Sequence, residues 1–434
     1  MASQHWLRQV KRMRRISQSS RGLPGKGTAL SFRTIVSSLM VLCLAMVTGA
    51  LLSCQKSGQN ERAVSVAIAL LPSERPAYVE ALKTFTERTG IKVRLVAQQY
   101  QEIRDAVEAE ARAGSGQLDL VELDVYLLPL YAHYMLPVDT LLSGEDSIRA
   151  SISPAIWNTG VIGDSVVNTL FVPHRLNWEA MIYNADSIAE PPRDWDQLLA
   201  FAERHPGAVG IKGAQYEGLV CDAFPILWQA GGDPLRPTDP ATLRALKFLE
   251  QLAPYLNGLS RSYKENTILQ ALEHREILIC FNWPFVVPLL QGQEMLPRHF
   301  RTAPLPAGPA RSATVLGGGY IGIPRTAPHP KAAARLMEYL LSADAQQEFS
   351  RLLGWFPVRS DAWGSLTPED REAYAGFLAM RPHVVARPGV ADYEAVSQAW
   401  QRGFSRLLFE GADPENVAHE IASALSGITG RTDR

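Results

Sequence analysis

Short apolar runs alternate with helical periods from residue 64 onward, and this alternation restricts the fold more than any other property of the chain. Residues 64–71 form an apolar run of strand length. Pro76 suits the first turn of a helix; Tyr78, Leu82, Phe85 and Thr89 then recur at helical spacing, and Gly90 supplies a stop. Residues 92–97 alternate as a second strand, 100–113 form a charged helix closed by Gly114, and 118–124 (LDLVELD) form a third strand that ends on acid. This order predicts a parallel sheet with helices on both faces. Such sheets bind ligands beyond the carboxyl ends of their strands, which singles out Asp124.

The alternation continues down the chain. Asp194 and Gln197 are spaced as a capping pair for a helix over 195–204. Short strands are predicted over 209–212, 276–283 and up to Pro324. Further helices are predicted over 224–230, 242–252, 330–341, 342–354 and 418–425. The proline-rich stretch 303–309 (APLPAGP) suits a crossover or hinge.

The first sixty residues are a separate object. The chain has 434 residues with 43 basic and 44 acidic side chains. Eight of the basic ones and none of the acidic ones fall before residue 54, so the remainder carries 35 basic against 44 acidic. Residues 35–52 (IVSSLMVLCLAMVTGALL) are uncharged. A basic segment followed by an apolar one reads as a secretory signal, although its length would also suit an uncleaved anchor. Leu51-Leu52-Ser53-Cys54 resembles a bacterial lipobox, which implies cleavage before Cys54 and diacylglycerol on its thiol. The expected division is therefore a signal at 1–53 and a tether at 54–62, with translation starting at Met13 or later.

Six linked segments carry a broader resemblance. They are RPAYVEALKTFTERTGIKV (75–93), DLVELDVYLLPLYAHYMLPVDTLL (119–142), FVPHRLNWEAMIYN (171–184), CFNWPF (280–285), VLGGGYIGIPRTAPHPKAAARLMEYLLS (315–342) and GWFPVRSDAW (354–363). In this order the chain resembles a family-1, carbohydrate-binding extracellular solute-binding protein of an ABC importer. The resemblance implies an α/β, two-lobed periplasmic-binding-protein fold of type II, maltose-binding-protein-like, with hinge crossovers near Pro173, 304–310 and Asp344. The N-terminal lobe would comprise 63–172 with 311–343, and the C-terminal lobe 173–310 with 344–434. The implied partners are a small carbohydrate, the permease subunits and, through the lipid, the membrane; the receptor would be an extracytoplasmic monomer.

Sugars present hydroxyls at the ring edge and weakly apolar C–H faces, so their sites pair aromatic platforms with carboxylates, amides and arginine. Trp283 follows a strand and precedes Pro284, which puts it on a cleft loop with Phe285; the resemblance implies that it stacks on a sugar ring. Asp124, Asn177 and Glu74 match positions from which relatives reach ligand hydroxyls, and Arg387 matches an arginine that enters the cleft. In the GGGY run, Gly318, Gly319 and Tyr320 are counted with the site. Gly319 takes a place where the family often has Trp, and Tyr320 falls on the opposite face of the strand.

Other classes find less support. The near-neutral total is not that of a nucleic-acid-coating protein. Gly317-x-Gly319-x-x-Gly322 formally matches a dinucleotide fingerprint, but Ile323-Pro324 follows it where a helix should open. No phosphate-loop, zinc-protease or nucleophile-elbow motif occurs, and the histidines are scattered, so no cofactor, metal or catalytic residue is expected. Cys221 and Cys280 fit either a disulfide or two buried thiols. The rival readings are a non-sugar solute such as a glycerophosphodiester or polyamine and, in a different class, a glycoside hydrolase with opposed carboxylates.

Overall fold

The computed structural model describes residues 63–162, 168–390 and 392–429. The expected signal, the tether and Cys54 lie outside the described residues.

The three predicted strands form β1 (Ala63–Ala69), β2 (Lys92–Gln98) and β3 (Leu120–Asp124), with β1 central and parallel to both neighbours. Helices α1 (Arg75–Thr89) and α2 (Tyr100–Ala113) join them. Val64, Val66 and Ile68 pack with Tyr78, Leu82 and Phe85 of α1, while Ala67 joins Ile103 and Val107 of α2 in a second apolar cluster. A strand covered on both faces needs apolar residues in both phases, which is why β1 reads as a run rather than as an alternation. Each fully buried Val, Leu or Phe contributes about 1.5–3 kcal/mol.

A short hairpin, β4 (Val161–Ile162) and β5 (Asn168–Thr169), precedes β6 (Val172–Trp178). The chain then builds a second, antiparallel sheet from β7 (Ala180–Asn184), β8 (Ile279–Asn282) and β9 (Phe300–Ala303). Between β7 and β8 lie α3 (Trp195–Arg204), α4 (Glu217–Gln229), α5 (Pro240–Leu252) and α6 (Glu265–Glu273). Strand β10 (Thr314–Gly322) returns to the first sheet, antiparallel to β3 and β6, and the two-residue β11 (Val384–Val385) pairs with its start.

Two expected boundaries move. The chain leaves the first sheet at Glu179 rather than near Pro173, because Val172 to Trp178 pairs along β10. Helices α7 (Pro330–Leu340) and α8 (Ala343–Leu353) follow β10, and α8 does not cross near Asp344. It packs on α1, where Phe349 stacks on Tyr78 at 5.2 Å and the Gln346 side chain donates to His174 O at 3.0 Å. Two of the connections between the sheets are tied to each other: the Thr314 hydroxyl donates to Glu179 O at 2.8 Å.

Three local readings also change. Residues 209–212 form no strand; Val209 makes only single bridges to Leu256 and Ile279. Helix α4 begins at Glu217 rather than Phe224 and carries Pro225 inside it. An unanticipated helix, α9 (Tyr393–Glu410), packs on α4 and α5 beside the terminal α10 (Pro414–Thr429). Cys221 and Cys280 are buried free thiols. Among the described residues no helix is long and apolar enough to cross a membrane.

Candidate functional site: a cleft at the carboxyl ends of the strands

A cavity of about 480 Å³ gathers the chain just beyond β1, β2 and β3 on one side and Tyr216–Gly218, Glu265, the loop after β8 and α9 on the other. This volume lies within the usual range of small-molecule sites. Of the residues singled out from sequence, Glu74, Asp124, Asn177, Trp283, Phe285, Gly318 and Arg387 line it.

Gly319 and Tyr320 do not. A β-carbon on Gly319 would lie 2.2 Å from Glu122 Cδ, so that glycine makes room for a buried carboxylate. Tyr320 points into the second apolar cluster, and its hydroxyl donates to Ile156 O at 2.9 Å. Burial pushes that phenol up to about 12.

Trp283 is half-buried at the end of β8. Its backbone N–H donates to Asn282 Oδ1 at 2.9 Å, and its six-membered ring lies against Gly317, where a β-carbon would come within 2.7 Å of Cζ3. Glycine at 317 is therefore what lets the indole lie down beside β10.

Two arginines organise the polar walls. On β6, Arg175 and Asn177 share the cavity face by the two-residue period, and His174 turns away. Arg175 Nη2 donates to Glu122 Oε1 at 2.7 Å, Ala69 O at 2.6 Å and the Tyr100 hydroxyl at 3.2 Å. Its guanidinium stacks on Trp355 at 4.3 Å. Burial raises the Glu122 carboxyl, but Arg175 and His174 outweigh it and hold the group below its ordinary value. Glu74, by contrast, is raised by burial despite Arg175, while it accepts from Leu71 N at 2.8 Å and Trp355 Nε1 at 2.7 Å.

The second arginine, Arg387, follows β11 and bridges the cleft. It donates to Asp124 Oδ1 at 2.5 Å and to Glu217 Oε1 at 2.8 Å, and it lies 4.6 Å from the Tyr126 ring centre. Glu217 also accepts from the Tyr393 hydroxyl at 2.7 Å and from the Ser397 hydroxyl. At the rim, Arg104 of α2 meets Glu394 of α9 at 2.5 Å, and Tyr126 packs on Tyr393 with ring centres 4.5 Å apart. Burial raises the Asp124 carboxyl, with Arg387 opposing.

Behind Trp283, Lys212 is fully buried. Its ammonium donates to Glu179 Oε1 at 2.6 Å, to Asp222 Oδ1 and to Phe281 O at 3.0 Å. Asp222 also takes the Lys212 N–H, whereas Glu179 Oε2 has no partner. Burial raises the Glu179 carboxyl above its ordinary value, with Lys212 opposing.

Tyr100 and Tyr126 share the strand-end position that marks Asp124. On α9, Tyr393 carries a sequence signal, since Arg387-Pro388 with Tyr393 resembles the R-P…Y element of disaccharide binders, whereas Glu394 and Ser397 carry none. Buried polar atoms are normally hydrogen-bonded. Four that are not, Arg104 Nε, Asn177 Oδ1, the Tyr216 hydroxyl and Arg387 Nε, belong to residues lining this cavity. Among the described residues no cluster suits a metal ion. Aromatic surface, carboxylates and amides thus line one cleft side by side.

Comparison with known proteins agrees with this architecture. A T. maritima MalE3 structure with maltose bound superposes with a TM-score of 0.76 at 24% identity, covering 84% of this chain and 99% of that one. A Thermotoga lettingae solute-binding protein bound with α-D-tagatose gives 0.72 at 23%, covering 84% and 100%. At such identities the likeness establishes the fold: two-lobed, α/β and maltose-binding-protein-like. A probable ABC transporter-binding protein of Deinococcus radiodurans is 23% identical over 383 residues, 80% of this chain and 89% of that protein. The family model described as bacterial extracellular solute-binding protein matches residues 80–374, more than half of the chain. The chain therefore belongs to the bacterial extracellular solute-binding proteins.

Proposed function

We propose that this chain is a lipid-anchored receptor that captures a carbohydrate, a di- or oligosaccharide, in the cleft between its lobes and delivers it to the permease subunits of an ABC importer. Membership of an extracellular solute-binding family puts the folded part outside the cytoplasm and makes binding, not turnover, the family's activity. The observation that carries the sugar reading is the cleft itself. Trp283 offers a flat apolar face, and Asp124, Asn177, Tyr216 and Glu265 surround it with acceptors and donors. That is the pairing sugar rings require. The solved relatives with maltose and α-D-tagatose support it. So does a Thermus thermophilus protein bound with maltotriose, at a TM-score of 0.70 and 18% identity over 84% of this chain and 100% of that one. Lipid attachment at Cys54 rests on the Leu51–Cys54 motif.

A thermal-shift screen of the full chain in mild detergent against neutral mono-, di- and oligosaccharides tests the proposal. A ligand bound only by the folded state at about 100 times its Kd stabilises by about 2.7 kcal/mol. One sugar or a small related set is expected to raise Tm in proportion to the logarithm of its concentration. A flat response across the whole panel would overturn the carbohydrate reading. Steady release of monosaccharide from a disaccharide would replace it with a hydrolase.

A further inference from the structure

We infer that the ligand of this cleft carries a positive charge seated beside Glu265, so that, resting on the carbohydrate reading, the substrate class is an aminated sugar. The inference starts from charge matching. Five carboxylates and three guanidiniums line the cavity. Arg104 is held by Glu394, Arg175 by Glu122 and Glu74, and Arg387 by Asp124 together with Glu217. Each cation is thus already matched or over-matched by protein. Glu265 lines the same cavity with no ion-pair partner among the described residues.

The nearest buried ammonium cannot supply one. Lys212 has three N–H donors, and Glu179, Asp222 and Phe281 O take one each. Glu265 contributes to raising the Lys212 ammonium only from a distance. Lys264 is exposed and stands over the Tyr216 ring at 5.2 Å, outside the cavity lining, where solvent and salt screen it.

A second, independent observation marks the same corner. The Tyr216 hydroxyl is buried and meets no partner at full hydrogen-bond geometry; Glu265 lies within side-chain hydrogen-bonding reach of it and, after burial, does most to raise the phenol. The Asn282 side-chain amide donates to Glu265 O at 2.9 Å, which ties that residue to the strand end carrying Trp283. The Glu265 carboxylate and the Tyr216 phenol form a seat for an ammonium group through a charge-assisted hydrogen bond, beside the Trp283 indole, whose ring centre Lys212 Nζ already approaches at 5.8 Å. A phosphate, sulfate or uronate would find the guanidiniums engaged and an unmatched carboxylate opposite.

Calorimetric titration of the full chain with glucose, glucosamine and glucuronate, and with the disaccharides of each, tests this. The aminated member of a set is expected to bind about tenfold or more tighter than the neutral one, with the carboxylated member weakest. That advantage should shrink as salt rises. In Glu265→Gln the ratio of aminated to neutral affinity is expected to fall to about one; the salt dependence of the unaltered chain gives the same information if this variant does not fold. Equal or tighter binding of the neutral member, or an aminated preference that survives Glu265→Gln, would overturn the inference. Binding of spermidine with no response to any saccharide would overturn the carbohydrate reading and uphold the cation seat.

Discussion

At the scale of single residues, Asp124 shows how structure changes what a mutation means. Its Oδ1 already accepts from Arg387, whose guanidinium is almost wholly buried. Asp124→Ala would leave that cation with one fewer partner, and breaking a buried pair typically costs about 3–5 kcal/mol. Loss of stability is therefore expected alongside loss of binding, and urea titration of the ligand-free variant would expose it. Trp283→Ala breaks no ion pair, although it removes packing on Gly317 and the ring beside Lys212, and is expected to weaken sugar binding about tenfold or more; unchanged affinity by titration would remove Trp283 from the site. Glu179 sets a pH dependence. Burial raises its carboxyl above the ordinary 4.5, with Lys212 opposing, so the folded protein holds this proton to higher pH than the unfolded chain. The stabilisation from this group is complete below about pH 4.5 and is lost as pH rises through the raised value. Lys212 is raised from 10.5, so its own contribution is lost only above this window. Between about pH 5 and pH 9 the urea midpoint of Glu179→Gln is expected to fall less than that of the unaltered chain.

At the scale of elements, the cleft is built by segments far apart in sequence that glycine lets approach. Gly354 ends α8 at φ +70°, and a β-carbon there would sit 2.5 Å from Pro284 O on the loop carrying Trp283. Gly354→Ala meets both a left-handed backbone, costing about 1–2 kcal/mol, and that close approach. A lower urea midpoint is expected together with weaker ligand binding, because the loop must shift; a loss of stability alone would show that the loop stays put. Across the rim, α2 and α9 are held by Arg104–Glu394 and by Tyr126 on Tyr393. Glu394→Gln is expected to enlarge the radius of gyration of the ligand-free protein in X-ray scattering, with sugar restoring the compact value. The strand–helix order of β1 to β3 was legible because each element buries its own periodic set of side chains. Helix α9 was not: its buried face, from Tyr393 to Leu408, is interrupted by Ser397, Gly403 and Ser405, which suit close packing on neighbouring elements rather than a simple apolar stripe.

At the scale of the whole molecule, the proposed receptor is joined to a membrane through one cysteine. If Cys54 carries lipid, Cys54→Ser is expected to accumulate as unprocessed precursor that incorporates no labelled palmitate, while the folded part still responds to sugar. Incorporation in the variant would move the anchor elsewhere. With residues 1–53 removed the remaining chain is acidic, and the cleft shares that bias. An acidic receptor repels anionic solutes over distances set by the Debye length, about 8 Å at physiological salt, so the excess acts mainly inside the cleft.

The order of β1 to β3 with α1 and α2, the parallel start of the sheet and the strand-end position of Asp124 follow from local patterns, because periodicity and caps are read within a dozen residues. What the chain does with them was decided in three dimensions. The crossover falls at Glu179 because β6 pairs with β10, some 140 positions away. Gly319 and Tyr320 leave the site because their strand turns them toward Glu122 and the apolar cluster. Most of all, the free or engaged state of each charge depends on partners from distant elements, as when Arg387 takes Asp124 and Glu217 and leaves Glu265 unmatched. Coulombic pairing acts through space, and no spacing along the chain encodes it.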